Sequence, residues 1–380
     1  METVNKKYIV TAQVLTPLSI GQGSEKDWVY GVDFLTKRDE NNQQWLYHLN
    51  IAKIIEAGVD INRVSQLFAN GNATEIAQLI GSKLAQVSDF QMPLPIKTAQ
   101  GLTNPIKTFL RNPLTNRPVL AGSSLKGAVR SVLFSYLRTN EKDNVAVFGN
   151  MKDGSDFMRF IRVGDFEFDK TCLVNTKIYN LHTPNGEPWQ GGWKHAGNHT
   201  DIYFNAEGFN TIYECLPPDA TAKGNIMFAD TLFEKITNQP IKEKKQNIMS
   251  SDTDIASKLC DIINKHTLAY LDKEIPFFEK YEEGEYSTNI FNSLADIEEE
   301  CYRISRCEPN TCILKMSAGA GFHSITGAWQ FDDYTEESGL HLGQGKYHGQ
   351  LPKSRKIAVS GSKAFSPMGF VKLTFEEEHV

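Results

Sequence analysis

Two long tracts of this 380-residue chain contain no acidic residue at all, although Asp and Glu outnumber Lys and Arg by 46 to 40 overall. From Phe90 to Asn140 the charges are Lys97, Lys107, Arg111, Arg117, Lys126, Arg130 and Arg138. At the chain's average acidic content a window of that length would hold about six acids. From Ser338 to Phe375 the charges are Lys346, Lys353, Arg355, Lys356, Lys363 and Lys372, with His341 and His348 among them. The net charge of −6 argues against wholesale adhesion to polyanions. Two basic tracts inside an acidic chain instead imply focused electropositive surfaces, the footprint of phosphate or nucleic-acid binding.

Cysteine is also scarce. The six residues Cys172, Cys215, Cys260, Cys301, Cys307 and Cys312 are irregularly spaced, which excludes a disulfide framework and points to reduced thiols in a cytoplasm. Cys301, Cys307 and Cys312 lack the paired C-x-x-C spacing of a structural zinc site. His195 and His199 are four apart, but in a glycine loop rather than on a helix. No metal or other cofactor is expected. No apolar run approaches the ~20 residues of a membrane span, and the start METVNKKYIV has no secretory character. Repeats and low-complexity tracts are absent as well.

What is present reads as an α+β chain long enough for two domains. Strands are expected at Tyr8 to Leu15, Ile161 to Phe168, Cys172 to Leu181, Thr211 to Leu216, Gly224 to Ala229, Cys312 to Met316 and Gly369 to Phe375. Short helices broken at Gly58 and Gly71 fall between Ile51 and Leu84. Longer ones fall at Ser124 to Arg138, Asp254 to Tyr270 and Ile290 to Ile304. Pro217-Pro218-Asp219 suggests a boundary between domains 1–218 and 219–380. The aperiodic stretch 182–200, rich in Gly, Pro, His and Trp, has the length and composition of a functional loop.

The most informative stretch is Gly122-Ser123-Ser124-Leu125-Lys126-Gly127 with Arg130. Leu125, Val129, Val132, Leu133 and Tyr136 lie on one apolar helical face, and Ser123 or Ser124 suits the N-cap. A helix start offers free N–H groups and partial positive charge to an anion. Gly122 and Gly127 would admit a phosphodiester backbone, with Lys126 and Arg130 adding charge. The lysine precedes the glycine, so this is no Walker loop.

These residues resemble the GSSLKG…R signature of the RAMP proteins, RNA-binding subunits of CRISPR effector complexes. Thr16-Pro17-Leu18-Ser19-Ile20-Gly21-Gln22-Gly23 is similar to that family's first-strand glycine loop, and Met316 to Gly327 to its C-terminal glycine-rich loop. Pro352 to Lys356 and Ser366 to Leu373 resemble its closing motifs. The resemblance spans nearly the whole chain and is nearest to the type III-A (Csm) subunit that caps the guide RNA near its 3′ end. It implies two tandem ferredoxin-like, RNA-recognition-type domains with insertions, the second carrying the glycine-rich loop. It also implies a subunit that supports crRNA maturation and antiviral defence in the cytoplasm. The implied partners are crRNA, target RNA, other Csm-complex RAMP subunits and host trimming nucleases, with no membrane. The implied RNA-binding residues are Gly21, Gly23, Arg111, Gly122, Ser123, Ser124, Lys126, Gly127, Arg130, Gly319, Gly321, Phe322, His323, Lys353, Arg355 and Lys356. The Trp189/Trp193 loop is a candidate for base stacking.

No catalytic residue is expected. RAMP endoribonucleases carry an acid in a loop ahead of GSSLKG, whereas Asn104 to Arg117 holds none. Asp27 and Asp33 lie earlier and carry no motif. Metal-independent cleavage needs a general base, for which His182, His195, His199 and His323 qualify by residue type alone. The alternatives are an endoribonuclease, a sibling RAMP subunit of another type III complex, and a scaffold that makes no RNA contact.

Overall fold

Lys6–Val14 alternates buried and more exposed side chains along its length and forms strand β1, the period-2 signature of a sheet with two different faces. The protein is described by a computed structural model covering residues 5–95, 104–139, 143–182, 190–195, 200–204, 210–235, 242–250, 252–281, 288–316, 354–360 and 364–378. β1 pairs antiparallel with β12 (Thr221–Phe228) on one side and β16 (Phe370–Glu377) on the other. β6 (Ile161–Val163) extends β12, and β13 (Thr311–Lys315) extends β16, giving the order β13-β16-β1-β12-β6. Strands from both sides of Pro218 therefore share one layer, and the boundary expected at that residue falls inside it.

One face of this sheet presents Tyr8, Val10, Ala12, Ile226, Phe228, Leu373 and Phe375 to helices α4 (Gly122–Leu137) and α8 (Ile255–Tyr281). Leu125, Val129, Val132 and Leu133 of α4 lie in that core, the apolar face expected from their spacing. Short helices α5 (Asn144–Phe148), α6 (Asp230–Glu234) and α7 (Lys242–Gln246) close its rim. α8 runs past the expected Tyr270, through Pro276, because Leu271 and Phe278 still find buried partners. The expected strand over Ile161 to Phe168 is split at Gly164 into β6 and the two-residue β7 (Phe166–Glu167), which pairs with β5 (Val119–Leu120).

A second sheet is centred on β8 (Cys172–His182), flanked by β9 (Gln190–Lys194), β11 (Thr211–Cys215) and β14 (Ser354–Ser360). β10 (Thr200–Asp201) and β15 (Ala364–Ser366) complete it. Its Tyr179, Trp193, Ile357 and Val359 pack in one cluster with α8 and with α9 (Thr288–Cys307). Between β1 and α4 the chain inserts a smaller layer of β2 (Phe34–Arg38), β3 (Gln44–Leu49) and β4 (Ser88–Pro93). Helices α1 (Ile51–Glu56), α2 (Ile61–Ala69) and α3 (Ala73–Ile80) cover it with a core of their own. Gly58 and Gly71 break those helices with φ of +68° and +64°, conformations that favour glycine.

Candidate nucleic-acid interface

Three separated motifs meet at one end of the central sheet. Leaving β1, the Leu15 and Thr16 N–H groups both donate to Phe370 O, at 2.9 and 3.3 Å. The Phe370 N–H in turn donates to Thr16 Oγ1 at 2.9 Å. Gly369 N–H donates to Pro17 O at 2.9 Å, and Met316 N–H to Gly369 O at 2.7 Å. Gly369 has φ +87°, so this junction of first loop, last strand and β13 depends on a glycine. The loop then bridges Gly21 to Phe109, while Gln22 Nε2 donates to Phe109 O at 2.9 Å and Thr108 Oγ1 at 3.2 Å. Gly21 and Gly23 are exposed, with Gly23 at φ +104° and open space where a Gly21 Cβ would stand.

The start of α4 lies elsewhere on the sheet: it packs on Val163 and Gly164 at the end of β6, which the register sets level with Tyr8 and Ile9 of β1, short of the Leu15–Pro17 junction. Here the local chemistry corrects the sequence reading. The N-cap is Ala121, and neither serine caps the helix. Gly122 N–H donates to Asp165 Oδ1 at 2.7 Å, so the chain's own carboxylate occupies the first free donor. A Cβ on Gly122 would sit 2.3 Å from Val163 O and 2.6 Å from Gly164 O. This glycine therefore serves helix-to-strand packing rather than the approach of a ligand. Ser123 is exposed, and Ser124, Lys126 and Gly127 are half-buried.

The cations divide into two groups. Lys126 makes no hydrogen bond or ion pair among the described residues. Burial, with Arg130 and Arg162 close by, holds its ammonium below the ordinary lysine range against the pull of Asp156. Arg162 on β6 is exposed and likewise without an ion pair among the described residues; nothing in the sequence singled it out, since it lies outside the acid-free tracts. Arg130 is partly committed, 3.8 Å from Asp156 Oδ2, donating to Asn144 Oδ1 at 3.2 Å and lying 4.4 Å over the Phe148 ring.

The remaining expected contacts are internal. Arg355 is buried, forked onto Glu274 at 2.6 and 3.0 Å and set 3.5 Å over the Phe277 ring. It holds β14 to α8 and is not a free phosphate ligand. Arg111 pairs with the wholly buried Glu214 and bonds Thr171 Oγ1 at 3.0 Å. Lys356 donates to Tyr213 Oη, and burial followed by the nearby Lys107 lowers its pKa to about 8. Trp193 is 3% exposed, packed on Tyr179, Phe204 and Phe365, so it offers no ring to a base. Gly319, Gly321, Phe322, His323, Lys353, Trp189 and His199 lie outside the described residues. Asp27 pairs with Lys107, Asp33 Oδ2 accepts the Val29 N–H at 2.7 Å, and His195 Nε2 lies 3.1 Å from Tyr203 O. Among the described residues no cluster of three His, Cys, Asp or Glu could hold a metal ion, and no helix is long and apolar enough to cross a membrane. Chemically, Lys126 and Arg162 can hold a phosphate by charge.

A model of the family described as the RAMP superfamily matches residues 11–302. No curated protein matches the chain. In fold it is similar to a chain of the "Cryo-EM structure of Csm-crRNA-target RNA ternary complex in type III-A CRISPR-Cas system". That match has a TM-score of 0.65 and 18% identity, and covers 98% of this chain and 100% of the other. It is also similar to the crystal structure of T. onnurineus Csm5, with a TM-score of 0.59 and 16% identity over 95% of this chain and 99% of that one. At these identities the likeness is one of fold.

Proposed function

Because the chain belongs to the RAMP superfamily, we propose that it is a non-catalytic RNA-binding subunit of a type III-A CRISPR effector complex. In this reading it binds crRNA near the 3′ end and supports crRNA maturation and antiviral defence. The observation that carries the reading is Lys126. It is a half-buried cation beside Arg130 and Arg162, its charge held at a cost that a bound phosphate would offset. It lies in the Gly122–Gly127 segment that resembles the family signature. The full-length fold likeness to a chain of a Csm–crRNA–target RNA complex supports the same assignment. The order β1–α4–β6–β12–α8–β13 supports a ferredoxin-like unit drawn from both sides of Pro218, with the second sheet contributed by β8 to β11 together with β14 and β15. Target RNA, neighbouring Csm subunits and recruited trimming nucleases are the partners this places around it in the cytoplasm.

The test is a charge reversal on exposed or half-buried groups: Lys126→Glu with Arg162→Glu. The variant should keep its circular dichroism yet lose co-purifying guide RNA; full retention of RNA would sink the reading. Incubation with labelled guide and target RNA, with and without divalent metal, should leave both intact. Cleavage abolished by Asp33→Ala or His195→Ala would establish an endoribonuclease instead.

A further inference from the structure

The central sheet has a second face, and half of it is open. Along β1 the residues between the core positions are Lys7, Ile9, Thr11 and Gln13, and along β12 they are Thr221, Lys223, Asn225 and Met227. Lys7, Lys223, Asn225 and Arg162 are exposed, while Thr11 and Met227 are half-buried. Toward β13 and β16 the same face is closed: Ile313 and Phe370 pack in the cluster with α9, and Lys372 pairs with Glu300 at 3.4 Å. The open half is therefore β1–β12–β6.

Its register orders the charges. Lys7 faces Met227 and Met227 faces Arg162, so these three form one row across three strands. Neighbouring strands are spaced ~4.8 Å apart. Lys223, opposite Thr11, lies four residues along β12 from Met227, about 13 Å at ~3.3 Å per residue. The side chains of Lys7 and Lys223, like that of Arg162, make no hydrogen bond or ion pair among the described residues. Arg162 belongs to both places, since it also acts electrostatically on Lys126. The basic surface thus turns from the start of α4, over the edge strand, onto the sheet.

We propose that this open face is a second contact surface for single-stranded RNA, continuous with the helix start and specific for the phosphate backbone; it rests on the RNA-binding reading above. The face holds no aromatic side chain on the described strands β1, β12 and β6, so it lacks the stacking platform that reads bases. Its donors are two ammonium groups, a guanidinium, two amides (Gln13 and Asn225) and two hydroxyls (Thr11 and Thr221), which recognise phosphate and sugar without discriminating sequence. Glu376, opposite Ile9, and Glu378, whose N–H donates to Lys7 O at 2.9 Å, border the face on the β16 side, so the anion-attracting part runs from Lys7 toward β12 and β6.

The experiment uses the full chain carrying Lys7→Ala and Lys223→Ala, beside the parent and a Lys126→Glu variant, Arg162 being left intact because it belongs to the face as well. Each is titrated onto labelled polyuridine and polyadenosine across a salt series. The Lys7/Lys223 variant should bind both polymers on the order of tenfold more weakly, with the salt slope shallower by about 1.4, or ~0.7 per lost contact. If it binds as the parent does while the Lys126→Glu variant fails, the face carries no RNA and the helix-start reading stands. If both variants bind as the parent does, the RNA reading itself is lost. Unequal losses on the two polymers would overturn backbone-only recognition. Unchanged RNA affinity with loss of assembly onto a neighbouring subunit would assign the face to protein.

Discussion

Asp165 is the residue that sets the electrostatics of the helix start, because its carboxylate receives the Gly122 N–H that an incoming anion would otherwise meet. A phosphate must therefore approach beside a fixed negative charge, relying on Lys126 and Arg162. Asp165→Asn keeps an acceptor for Gly122 and removes that charge. It should tighten RNA binding by ~2- to 5-fold, the worth of one charge at a helix end, with little change in thermal unfolding. Equal affinity would show that the RNA does not approach the first turn. Gly122, Lys126 and Arg130 were legible in the sequence as a group. Their separate fates were not, since Asp165, Val163 and Asp156 reach α4 from other parts of the chain.

At the scale of elements, the pair Arg355–Glu274 fastens β14 to α8 within a largely apolar interface that also holds Phe277 and Phe278. Removing one partner leaves the other charge buried alone. Arg355→Met should therefore cost about 3–5 kcal/mol in denaturant unfolding. Adding Glu274→Leu should recover most of that loss. A double variant no better than the single one would mean that the pair is not coupled. Strands and helices were mostly readable from periodicity to within a few residues, as for β1, β8, α4 and α9. Arg355 was not. It lies in a basic tract that looks like surface, and its partner is 81 residues away. Trp193 failed for the same reason: a glycine-rich, aromatic segment looks like an exposed loop until Tyr179, Phe204 and Phe365 close around it.

For the molecule as a whole, buried lysines make stability depend on alkaline pH. Lys245 is fully buried, bonded to Phe148 O at 3.1 Å, and burial lowers its pKa from 10.5 to about 8. Below pH 8 the ammonium is charged in both folded and unfolded chains, so the cost of burying it is fully present. Between pH 8 and 10.5 the unfolded chain holds the proton that the folded one has released, and stability contributed at this site rises with pH. Lys245→Met should therefore change stability relative to the parent most favourably below pH 8. That difference should shrink steadily toward pH 10.5 in paired thermal melts. A pH-independent difference would mean that Lys245 stays protonated in the fold.

The position of β1 between β12 and β16 also has a consequence for how the protein is made. β1 emerges from the ribosome first among these strands, yet its two neighbours are encoded at residues 221–228 and 370–377. At ~5–20 residues per second, β1 waits roughly 20 s or more for its second partner. The junction Thr16–Pro17–Gly369–Phe370 cannot close before then. Whatever depends on that junction is thus open only to chains whose synthesis has passed Phe370. A truncated or stalled nascent chain would expose β1 as an unpaired edge and would be a substrate for chaperones rather than for assembly.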